Sequence, residues 1–390
     1  MHDWSVIVIG AGPGGSCAAA EIASRGIDVA LIEKDDYPGE TSVCGAVTPK
    51  SNTDEFEVPS YVIERTLSKW VCYFPDETVV FEVPFASFQR KNFDKYLGER
   101  AVSKGARLIT KTVATDVNFD DDGVTVRLLD RRDNREYDLR SKMVVFADGA
   151  DTIAAKKFRG VGFQRRLKRT MHGLVYEYDW KDNPLDAFDL YFDAKIGPWG
   201  YGWIFPKKDI LNVGIGCLLS TVSPKFGQSM RGRLDYFVKQ YEPAVKKLDG
   251  HKISRIQAAI IPVEVAPKMY GKRMLLVGDA AGMVEPFSAG GNEYAMRGGV
   301  VAGKVVADAL KQNRYDEGFL SAYDKTWRRT QDGKILSDMQ RLFSLGYLYY
   351  KVDKLAGLKF YQYYIHKVRD LYPEGGVKNK VAEPPTVIAS

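Results

Sequence analysis

The chain has 390 residues, of which 45% are hydrophobic and 27% charged, and its formal net charge at pH 7 is +6. This length and apolar content predict a globular protein of two domains with a sizeable core. The positive charge is small and forms no block of like residues, which argues against a nucleic-acid-binding surface as the main function but leaves room for attraction to anionic lipid.

Cysteine and hydropathy patterns indicate the cellular compartment and the kinds of site to expect. The four cysteines, Cys17, Cys44, Cys72 and Cys217, form no C-x-x-C pair. This usage favours a reducing compartment and predicts no metal or iron–sulfur site. No segment reaches the roughly 18 uncharged apolar residues that cross a bilayer, so we expect a cytoplasmic protein that is soluble or peripheral to a membrane.

The first predicted element is a buried strand over residues 6–9 that leads into a glycine-rich turn and an alanine-rich helix. The turn consists of Gly10, Ala11, Gly12, Pro13, Gly14 and Gly15, which has the G-x-G-x-x-G spacing. Gly10 allows a sharp turn, Gly12 lets the backbone approach a pyrophosphate, and Gly15 lets the helix pack closely against the strand. The pattern predicts a dinucleotide site with its phosphates at the helix N-terminus, and all four glycines are candidate contacts.

A second strand, over residues 29–32, ends in Glu33. An acidic side chain about 20 residues after the glycine turn is expected to accept a hydrogen bond from a ribose hydroxyl. Residues 90–106 then predict a helix, because Phe93, Leu97 and Ala101 follow helical spacing. Strands are expected around Val117 and over 124–126, with a hairpin turn at 120–123.

From about residue 155 to 270 the pattern alternates between apolar and polar residues, which predicts an antiparallel sheet with one face available to line a pocket. Its strands are expected over 173–178, 188–192, 201–205 and 212–216. On the third of these strands Tyr201, Trp203 and Phe205 share one side and form an aromatic wall suited to a long apolar substrate. Packing of the sheet against a helix is the alternative interpretation of these rings.

Two further motifs lie downstream. Residues 142–150 form a strand that ends in Asp148-Gly149, and residues 274–282 form another that ends in a Gly-Asp-Ala-Ala-Gly turn containing Asp279. Asp279 can accept hydrogen bonds from a polyol. Gly290, Gly291 and Asn292 precede a helix of small residues whose first N–H groups can stabilise negative charge on a reduced isoalloxazine.

These three ordered motifs resemble the FAD-binding fold of the p-hydroxybenzoate hydroxylase superfamily, which implies FAD as the cofactor. Within it, residues 201–206 resemble the Y-x-W-x-F-P motif of the geranylgeranyl reductase family. Cys44, Gly45 and Lys50 are similar to that family's C-G-E-G-x-S-K loop beside the flavin, although Ala46 and Val47 depart from it.

The resemblance implies an α/β fold, with a Rossmann-like FAD-binding domain, an inserted antiparallel substrate sheet and a C-terminal helical segment. It implies reduction of C=C bonds in a prenyl lipid by hydride from reduced flavin, with NAD(P)H or a ferredoxin as electron donor. Cys44 and Tyr201 are the candidates for the proton path, and Tyr201, Trp203 and Phe205 for the substrate wall, with Trp203 grouped among the catalytic candidates. The remaining cofactor candidates are Cys44, Gly45, Ala114 and Arg90. Arg90 begins an R-x-x-F-D sequence that resembles the start of a family helix, whose arginine reaches the FAD phosphates or ribityl chain.

Two alternatives stay open at this stage. A flavin-dependent monooxygenase or halogenase acting on an aromatic substrate would use the same fold with oxygen, and the Pro-Phe-Ser-x-Gly sequence at 286–290 is similar to that of halogenases. A non-catalytic electron-carrying or lipid-binding flavoprotein is the other.

The C-terminal segment is aromatic and basic. Phe343, Tyr347, Leu348, Tyr349 and Tyr350 crowd one stretch, and Tyr361, Ile365, Val368 and Tyr372 form a helical stripe opposite Lys359, Gln362, His366 and Arg369. Such a pattern suits a membrane interface or the cap of a domain core. We therefore expect an FAD domain over 1–60, 90–155 and 270–330, a substrate domain over 61–89 and 156–269, helices over 331–375 and a tail over 376–390.

Overall fold

The computed structural model describes residues 2–222, 229–248 and 250–371. These residues form two compact units, both of them discontinuous in sequence. The first contains the described residues of 1–42, 89–170 and 261–340, and the second those of 43–88, 171–260 and the part from 341 onwards. The predicted tail, together with Tyr372 and the last residues of the predicted helical segment, lies outside the described residues.

The described strands are β1 (Trp4–Ile9), β2 (Val29–Ile32), β3 (Val47–Pro49), β4 (Ile63–Tyr73), β5 (Thr78–Phe88), β6 (Arg107–Ile109), β7 (Thr112–Phe119), β8 (Val124–Asp130), β9 (Arg135–Phe146), β10 (Thr170–Asp179), β11 (Ala187–Tyr191), β12 (Gly200–Pro206), β13 (Ile210–Leu218), β14 (Ile253–Pro262), β15 (Tyr270–Gly271) and β16 (Met274–Leu276).

The described α-helices are α1 (Pro13–Ala23), α2 (Lys50–Glu55), α3 (Arg90–Ser103), α4 (Ile153–Lys157), α5 (Met230–Lys239), α6 (Glu242–Leu248), α7 (Asn292–Gln312), α8 (Glu317–Arg329), α9 (Gln331–Val352) and α10 (Lys354–Leu371). A 3₁₀ turn at Gly278–Ala281 follows β16. The predicted elements around the motifs are therefore present, and the α/β fold is confirmed.

The first unit is built on a sheet in the order β15-β16-β9-β1-β2-β6. Its central strands β16, β9, β1, β2 and β6 are parallel. Strands β2 and β16 are apolar and buried along their whole length, as expected where both faces of a sheet are covered. The predicted hairpin of β7 and β8 joins the sheet through β9. Parallel strands bring their carboxyl ends to one edge, where dinucleotides bind in such folds.

Helices α1 and α7 pack so closely that glycines are required at their contact. A Cβ atom at Gly299 would lie 2.3 Å from the carbonyl oxygen of Gly14, and one at Gly303 would lie 2.7 Å from Cβ of Glu21. The small residues of α7 are therefore explained by this close approach, which places the N-terminus of α7 near the glycine turn.

The second unit contains a sheet in the order β14-β10-β13-β12-β11-β4-β5-β3. Strands β10 to β13 pair antiparallel, as predicted, but β11 and β4 run parallel. A short hairpin forces antiparallel pairing, whereas β4 and β11 are far apart in sequence and are free of that constraint. Residues 43–60, expected in the FAD domain, belong to this unit because β3 pairs with β5.

The two faces of this sheet have different roles. One face carries Ile204, Val213 and Tyr191, which pack with Leu234 and Phe237 of α5 in a hydrophobic core. Because side chains alternate along a strand, Tyr201, Trp203 and Phe205 point to the opposite face. Helix α5 thus covers one face of the sheet, and the three aromatic rings lie on the other.

Candidate functional site

The glycine turn after β1 has the geometry of a phosphate-binding loop. Gly10 has a φ of +97°, and a Cβ there would lie 2.3 Å from the carbonyl oxygen of Ala147. A Cβ at Gly15 would lie 1.9 Å from the carbonyl oxygen of Gly10, and one at Gly14 would lie 3.2 Å from a carbonyl oxygen of α7. At Gly12, by contrast, no described atom lies within 4 Å of the Cβ position. Only the Gly12 side of the turn is therefore open.

The N-terminus of α1 also fits an anion. Gly12 is the N-cap residue, and no described side chain caps the helix there. The Ser16 hydroxyl donates to the carbonyl oxygen of Ala11 at 2.9 Å, which ties the first turn of α1 back to the glycine turn. An open approach beside an uncapped helix terminus is the arrangement that binds pyrophosphate groups.

Glu33 lies at the end of β2, where the sequence predicts a ribose contact. Its Oε2 accepts a hydrogen bond from the N–H of Ala11 at 3.0 Å, and its Oε1 accepts one from the N–H of Asp35 at 3.0 Å. Burial raises the pKa of this carboxyl group. The carboxyl group thus fixes the glycine turn to the end of β2, and each oxygen keeps acceptor capacity for a hydroxyl group. The ribose contact stays a prediction.

Asp148 contributes an unsatisfied buried atom beside the same turn. Its Oδ2 accepts a hydrogen bond from the N–H of Ile153 at 2.7 Å, whereas Oδ1 is buried and has no hydrogen-bond partner among the described residues. A Cβ at Gly10 would lie 3.2 Å from Cα of Asp148. Buried polar atoms are normally paired, so this oxygen indicates a missing donor of the kind that a cofactor hydroxyl supplies.

Asp279 lies in the 3₁₀ turn after β16 and faces the start of α7. Burial raises its pKa to about 6, and the positive charge of Arg90 opposes that rise. A Cβ at Gly291 would lie 3.7 Å from Oδ1 of Asp279, so the carboxylate adjoins the first residues of α7. Gly290 and Asn292 flank this point. The structure thus brings together the predicted polyol acceptor and the predicted helix terminus.

Arg90 begins α3 and forms a two-point ion pair with Asp94. The Nε–Oδ1 distance is 2.7 Å and the Nη2–Oδ2 distance is 2.6 Å. Burial raises the pKa of the fully buried Asp94, and Arg90 opposes this effect. Such a forked pair holds the guanidinium group in one orientation, with its charge near Asp279. Its contact with FAD remains a prediction.

Glu285 is a functional candidate that the sequence analysis missed. It is buried, and its two oxygens accept hydrogen bonds from the N–H groups of Phe287 at 3.0 Å and Ser288 at 2.7 Å. These bonds shape the loop that leads into α7. The available signal was an acidic residue just before a Pro-Phe-Ser turn, where a side chain can accept from N–H groups two and three residues later.

Ala114 is a further predicted cofactor contact of the first unit. It lies in β7 opposite Leu128 and packs against the main hydrophobic cluster of the first unit. The described contacts give it a packing role, and its predicted cofactor contact stays a prediction.

The aromatic wall exists in the second unit as a continuous row of rings. Ring centroids of Tyr201 and Trp203 are 6.0 Å apart, and those of Trp203 and Phe205 are 6.1 Å apart. Phe188 and Trp70 extend the row beyond Phe205, at centroid distances of 5.5 and 5.8 Å. All three predicted rings are 6–7% exposed. The wall is therefore an apolar, water-poor surface, and the rings also pack against one another.

The loop of Cys44 and Gly45 is fastened to this wall by Asn212. Trp203 donates from Nε1 to Oδ1 of Asn212 at 2.8 Å, and Asn212 donates from Nδ2 to the carbonyl oxygen of Cys44 at 3.2 Å. A Cβ at Gly45 would lie 3.1 Å from the ring of Phe205. The structure thus brings Cys44 together with Trp203 and Phe205, which lie more than 150 residues later in the sequence.

Asn212 was also missed by the sequence analysis. It is fully buried in the otherwise apolar strand β13, opposite Phe205. A lone amide in a buried strand needs partners, and this was the signal that could have found it. Of the four cysteines, all within the described residues, Cys44 is the one whose side chain is partly exposed.

The two sides of helix α10, which carries the predicted stripe, have different surroundings. Tyr361 and Ile365 are 2% and 4% exposed, so they belong to the core of the second unit. On the opposite side Lys359 pairs with Asp76, and Nε2 of His366 lies 2.7 Å from Oε1 of Glu77. The predicted membrane role of this stripe is wrong for Tyr361 and Ile365, because packing against the sheet covers them.

Two family sequence models match this chain. The sequence model described as FAD dependent oxidoreductase matches residues 5–156, and the model described as geranylgeranyl reductase catalytic domain matches residues 169–260. The first range contains the glycine turn, and the second contains the aromatic wall.

Relatives of similar length match most of this chain. A digeranylgeranylglycerophospholipid reductase from Methanocella arvoryzae is 32% identical over 345 residues, which cover 83% of this chain and 82% of the relative. The corresponding protein from Methanocaldococcus jannaschii is 30% identical over 355 residues, or 86% and 85% of the two chains.

Solved structures give the same fold. A geranylgeranyl bacteriochlorophyll reductase-like protein from Thermoplasma acidophilum is similar with a TM-score of 0.76 and 25% identity, covering 87% of this chain and 90% of that one. A flavin-dependent brominase has a TM-score of 0.72 at 18% identity, with coverages of 95% and 100%, which shows a shared fold alone. By its sequence matches, the chain belongs to the geranylgeranyl reductase family and is an FAD-dependent oxidoreductase.

Proposed function

We propose that the protein reduces isolated C=C bonds in the prenyl chains of a membrane lipid. The observation that carries this proposal is the aromatic wall with the Cys44 loop fastened to it. An isolated alkene offers no oxygen or nitrogen atom to polarise, so recognition has to come from apolar shape. A row of buried rings fits this requirement better than an array of charges does.

The cofactor and the chain divide the chemistry. Bound and reduced FAD supplies the hydride that ends on one carbon of the double bond. The chain has to hold that carbon within about 3.5 Å of the hydride donor and exclude water. Trp203 and Phe205 are the residues that would hold the prenyl chain, because their faces form the centre of the wall.

The second alkene carbon needs a proton, so that the product gains two hydrogens in total. The Tyr201 hydroxyl and the Cys44 thiol are the two candidates in the second unit. Tyr201 lies in the wall itself, 6.0 Å from Trp203 between centroids. Cys44 is linked to the same indole through Asn212. Either group would give up its proton to the alkene and regain one from solvent.

The first substrate to test is a glycerophospholipid with two unsaturated geranylgeranyl chains. Two of the relatives, each at least 30% identical over most of this chain, carry names that state this substrate. A prenyl quinone and a prenyl diphosphate are the other prenyl compounds to compare. The electron donor would be NAD(P)H or a ferredoxin.

We also propose that the reaction takes place at a membrane surface, since such a lipid remains in the bilayer. None of the helices in the described part of the chain is long and apolar enough to cross a bilayer. The enzyme would then reach its substrate from the surface.

The test is anaerobic incubation of the dithionite-reduced holoprotein with each prenyl lipid in detergent micelles, followed by mass spectrometry. We expect mass gains of two hydrogens per reduced bond. Trp203→Ala should impair this reaction and leave FAD bound. Ile253→Ala, which changes an exposed side chain on β14 of the same unit, is the matched control.

Two outcomes would contradict the proposal. One is absence of any mass gain with every prenyl lipid, although the flavin is reduced. The other is oxygen consumption with an aromatic substrate and its hydroxylation or halogenation, which would assign an oxygen-using reaction to the same fold. Equal loss of flavin and fold in Trp203→Ala would return that residue to a packing role.

A further inference from the structure

Helix α9 carries a second apolar face that points to solvent. Leu345, Leu348, Tyr349 and Val352 follow the spacing i, i+3, i+4, i+7 and are 47, 59, 52 and 91% exposed. Leu355, in the first turn of α10, is 58% exposed. We call these five side chains the apolar tip, because they surround the turn between the two helices.

This concentration is unusual for a protein surface. The described residues contain eleven large hydrophobic side chains that are exposed, and five of them lie in the apolar tip, within eleven consecutive positions. Single exposed apolar residues are ordinary, but a contiguous group marks an interaction surface.

The exposure of these side chains is not explained by poor packing, because the inner side of α9 is already in contact with the second unit. On its inner side Phe343 is 3% exposed, and a Cβ at Gly346 would lie 2.6 Å from ring atoms of both Phe360 and Trp199. Helix α10 is also held, by Tyr361 in the core and by the His366–Glu77 contact. The apolar tip is thus a surplus face on a helix pair that is already packed.

The charges around the apolar tip favour an anionic lipid surface over a second protein chain. Lys351 and Lys354 are exposed and form no ion pair with a described residue. Asp353 lies between them and accepts at Oδ1 from the N–H of Leu355 at 2.8 Å, and the two lysines outnumber this one carboxylate. Lysine is depleted in protein interfaces, whereas lysines beside exposed apolar residues suit the headgroup region of an anionic bilayer.

A row of ring contacts connects the apolar tip with the aromatic wall inside the same unit. Tyr349 stacks on Phe360 at 6.1 Å between centroids. Phe360 and Trp199 lie side by side at Gly346, since a Cβ there would lie 2.6 Å from a ring atom of each. Trp199 and Tyr361 are 5.0 Å apart, and Tyr361 and Phe192 are 5.4 Å apart. From Phe192 the next ring is Tyr201, at 5.7 Å. The exposed surface is therefore continuous, through apolar side chains, with the proposed substrate wall.

We propose that the apolar tip inserts into the surface of an anionic bilayer and that prenyl lipid enters the second unit from this side. The inference rests on the proposed function, in that the substrate is a membrane lipid. It differs from the sequence prediction, which considered a membrane interface for the aromatic C-terminal segment as a whole. The contact is assigned instead to the turn between α9 and α10.

The test compares the vesicle binding and the activity of three full-length holoproteins: the wild type, a docking variant and a control variant. The docking variant carries Leu348→Ser, Val352→Ser and Leu355→Ser. The control variant carries Tyr61→Ser and Ile256→Ser, which remove exposed apolar side chains elsewhere in the second unit. Each is sedimented with vesicles of phosphatidylcholine and phosphatidylglycerol at low salt. We expect a loss of vesicle affinity of more than about tenfold in the docking variant alone.

A charge variant tests the second part of the inference. Lys351→Ala with Lys354→Ala should lower affinity for the anionic vesicles by about fivefold per lysine and have little effect on vesicles of phosphatidylcholine alone. Flavin content and thermal melting of every variant show that the fold is intact.

Activity separates this inference from the proposed function. The docking variant should reduce prenyl lipid in detergent micelles at the wild-type rate but lose most activity on the same lipid in vesicles. Absence of activity in both assays with the wild-type protein would refute the proposed function only. Failure of the wild-type protein to bind vesicles, or a dimer that the docking variant dissociates without any change in vesicle binding, would overturn the membrane assignment.

Discussion

Replacing Asp279 with Asn should make the FAD-free protein more stable and its complex with FAD weaker. Burial raises the pKa of Asp279 to about 6 in the folded chain, whereas an ordinary aspartate titrates near 3.8. A difference of about two pH units corresponds to about 3 kcal/mol of cost for keeping the carboxylate ionised in the fold. The asparagine side chain has similar shape and carries no such cost.

The sign of the pH dependence follows from the raised pKa. Between about pH 4 and 6 the folded protein binds more protons at Asp279 than the unfolded chain does, so stability falls as pH rises through this window. With these pKa values the cost is about 1.5 kcal/mol at pH 5 and about 3 kcal/mol at pH 8. Asp279→Asn should therefore stabilise the FAD-free protein by up to these amounts, and by more at pH 8 than at pH 5.

The assay is urea unfolding of FAD-free wild-type and variant proteins at both pH values, with FAD titration of each. Affinity for FAD should fall about 5- to 150-fold, because hydrogen bonds to a charged acceptor worth about 1 to 3 kcal/mol are weakened. Asp308→Asn, which changes an exposed carboxylate on α7, is the control. A variant that is destabilised equally at both pH values, or that binds FAD as tightly as the wild type does, would refute this reasoning.

Four further substitutions test the two sites. Gly15→Ala should destabilise the fold by about 1 to 3 kcal/mol, since its Cβ would lie 1.9 Å from a carbonyl oxygen, whereas Gly12→Ala should melt normally and lose FAD affinity. Asn212→Ala should cost about 1 to 3 kcal/mol in urea unfolding, because it leaves the Trp203 indole and the Cys44 carbonyl group unpaired, and unchanged stability would show that water replaces the amide. Cys44→Ser should lower turnover more than thermal stability, and full activity of this variant would assign Cys44 a structural role.

The FAD cofactor could be predicted because its signals are local. A strand, three spaced glycines and a following helix are adjacent in sequence, although the close neighbour that requires glycine at position 10 is Ala147, at the end of the distant strand β9. Asp279 followed from the same kind of signal at a second strand end. Local sequence therefore carried most of the information about this site.

The substrate unit was harder to predict because its contacts are long-range. Asn212 and Cys44 are 168 residues apart, and β4 pairs in parallel with a strand from another segment. Neither relation leaves a periodic trace in the sequence. The stripe of Tyr361 and Ile365 shows the same limit, since apolar spacing identifies a helical face but not whether protein or lipid covers it.

Backbone contacts show how the Cys44 loop is held at Ala46 and Val47, the two positions that depart from the family's motif. Ala46 is buried with a φ of +53°, a conformation more typical of glycine, and its carbonyl oxygen accepts from the N–H of Phe88 at 3.1 Å. Val47 begins β3 and pairs with Ser87. The path of the loop is thus set by backbone pairing with β5 and by Asn212, and it does not need the acidic residue of the motif. Because Ala46 carries no titratable group, it cannot supply the proton for the alkene, and Cys44 and Tyr201 stay the proposed donors to test.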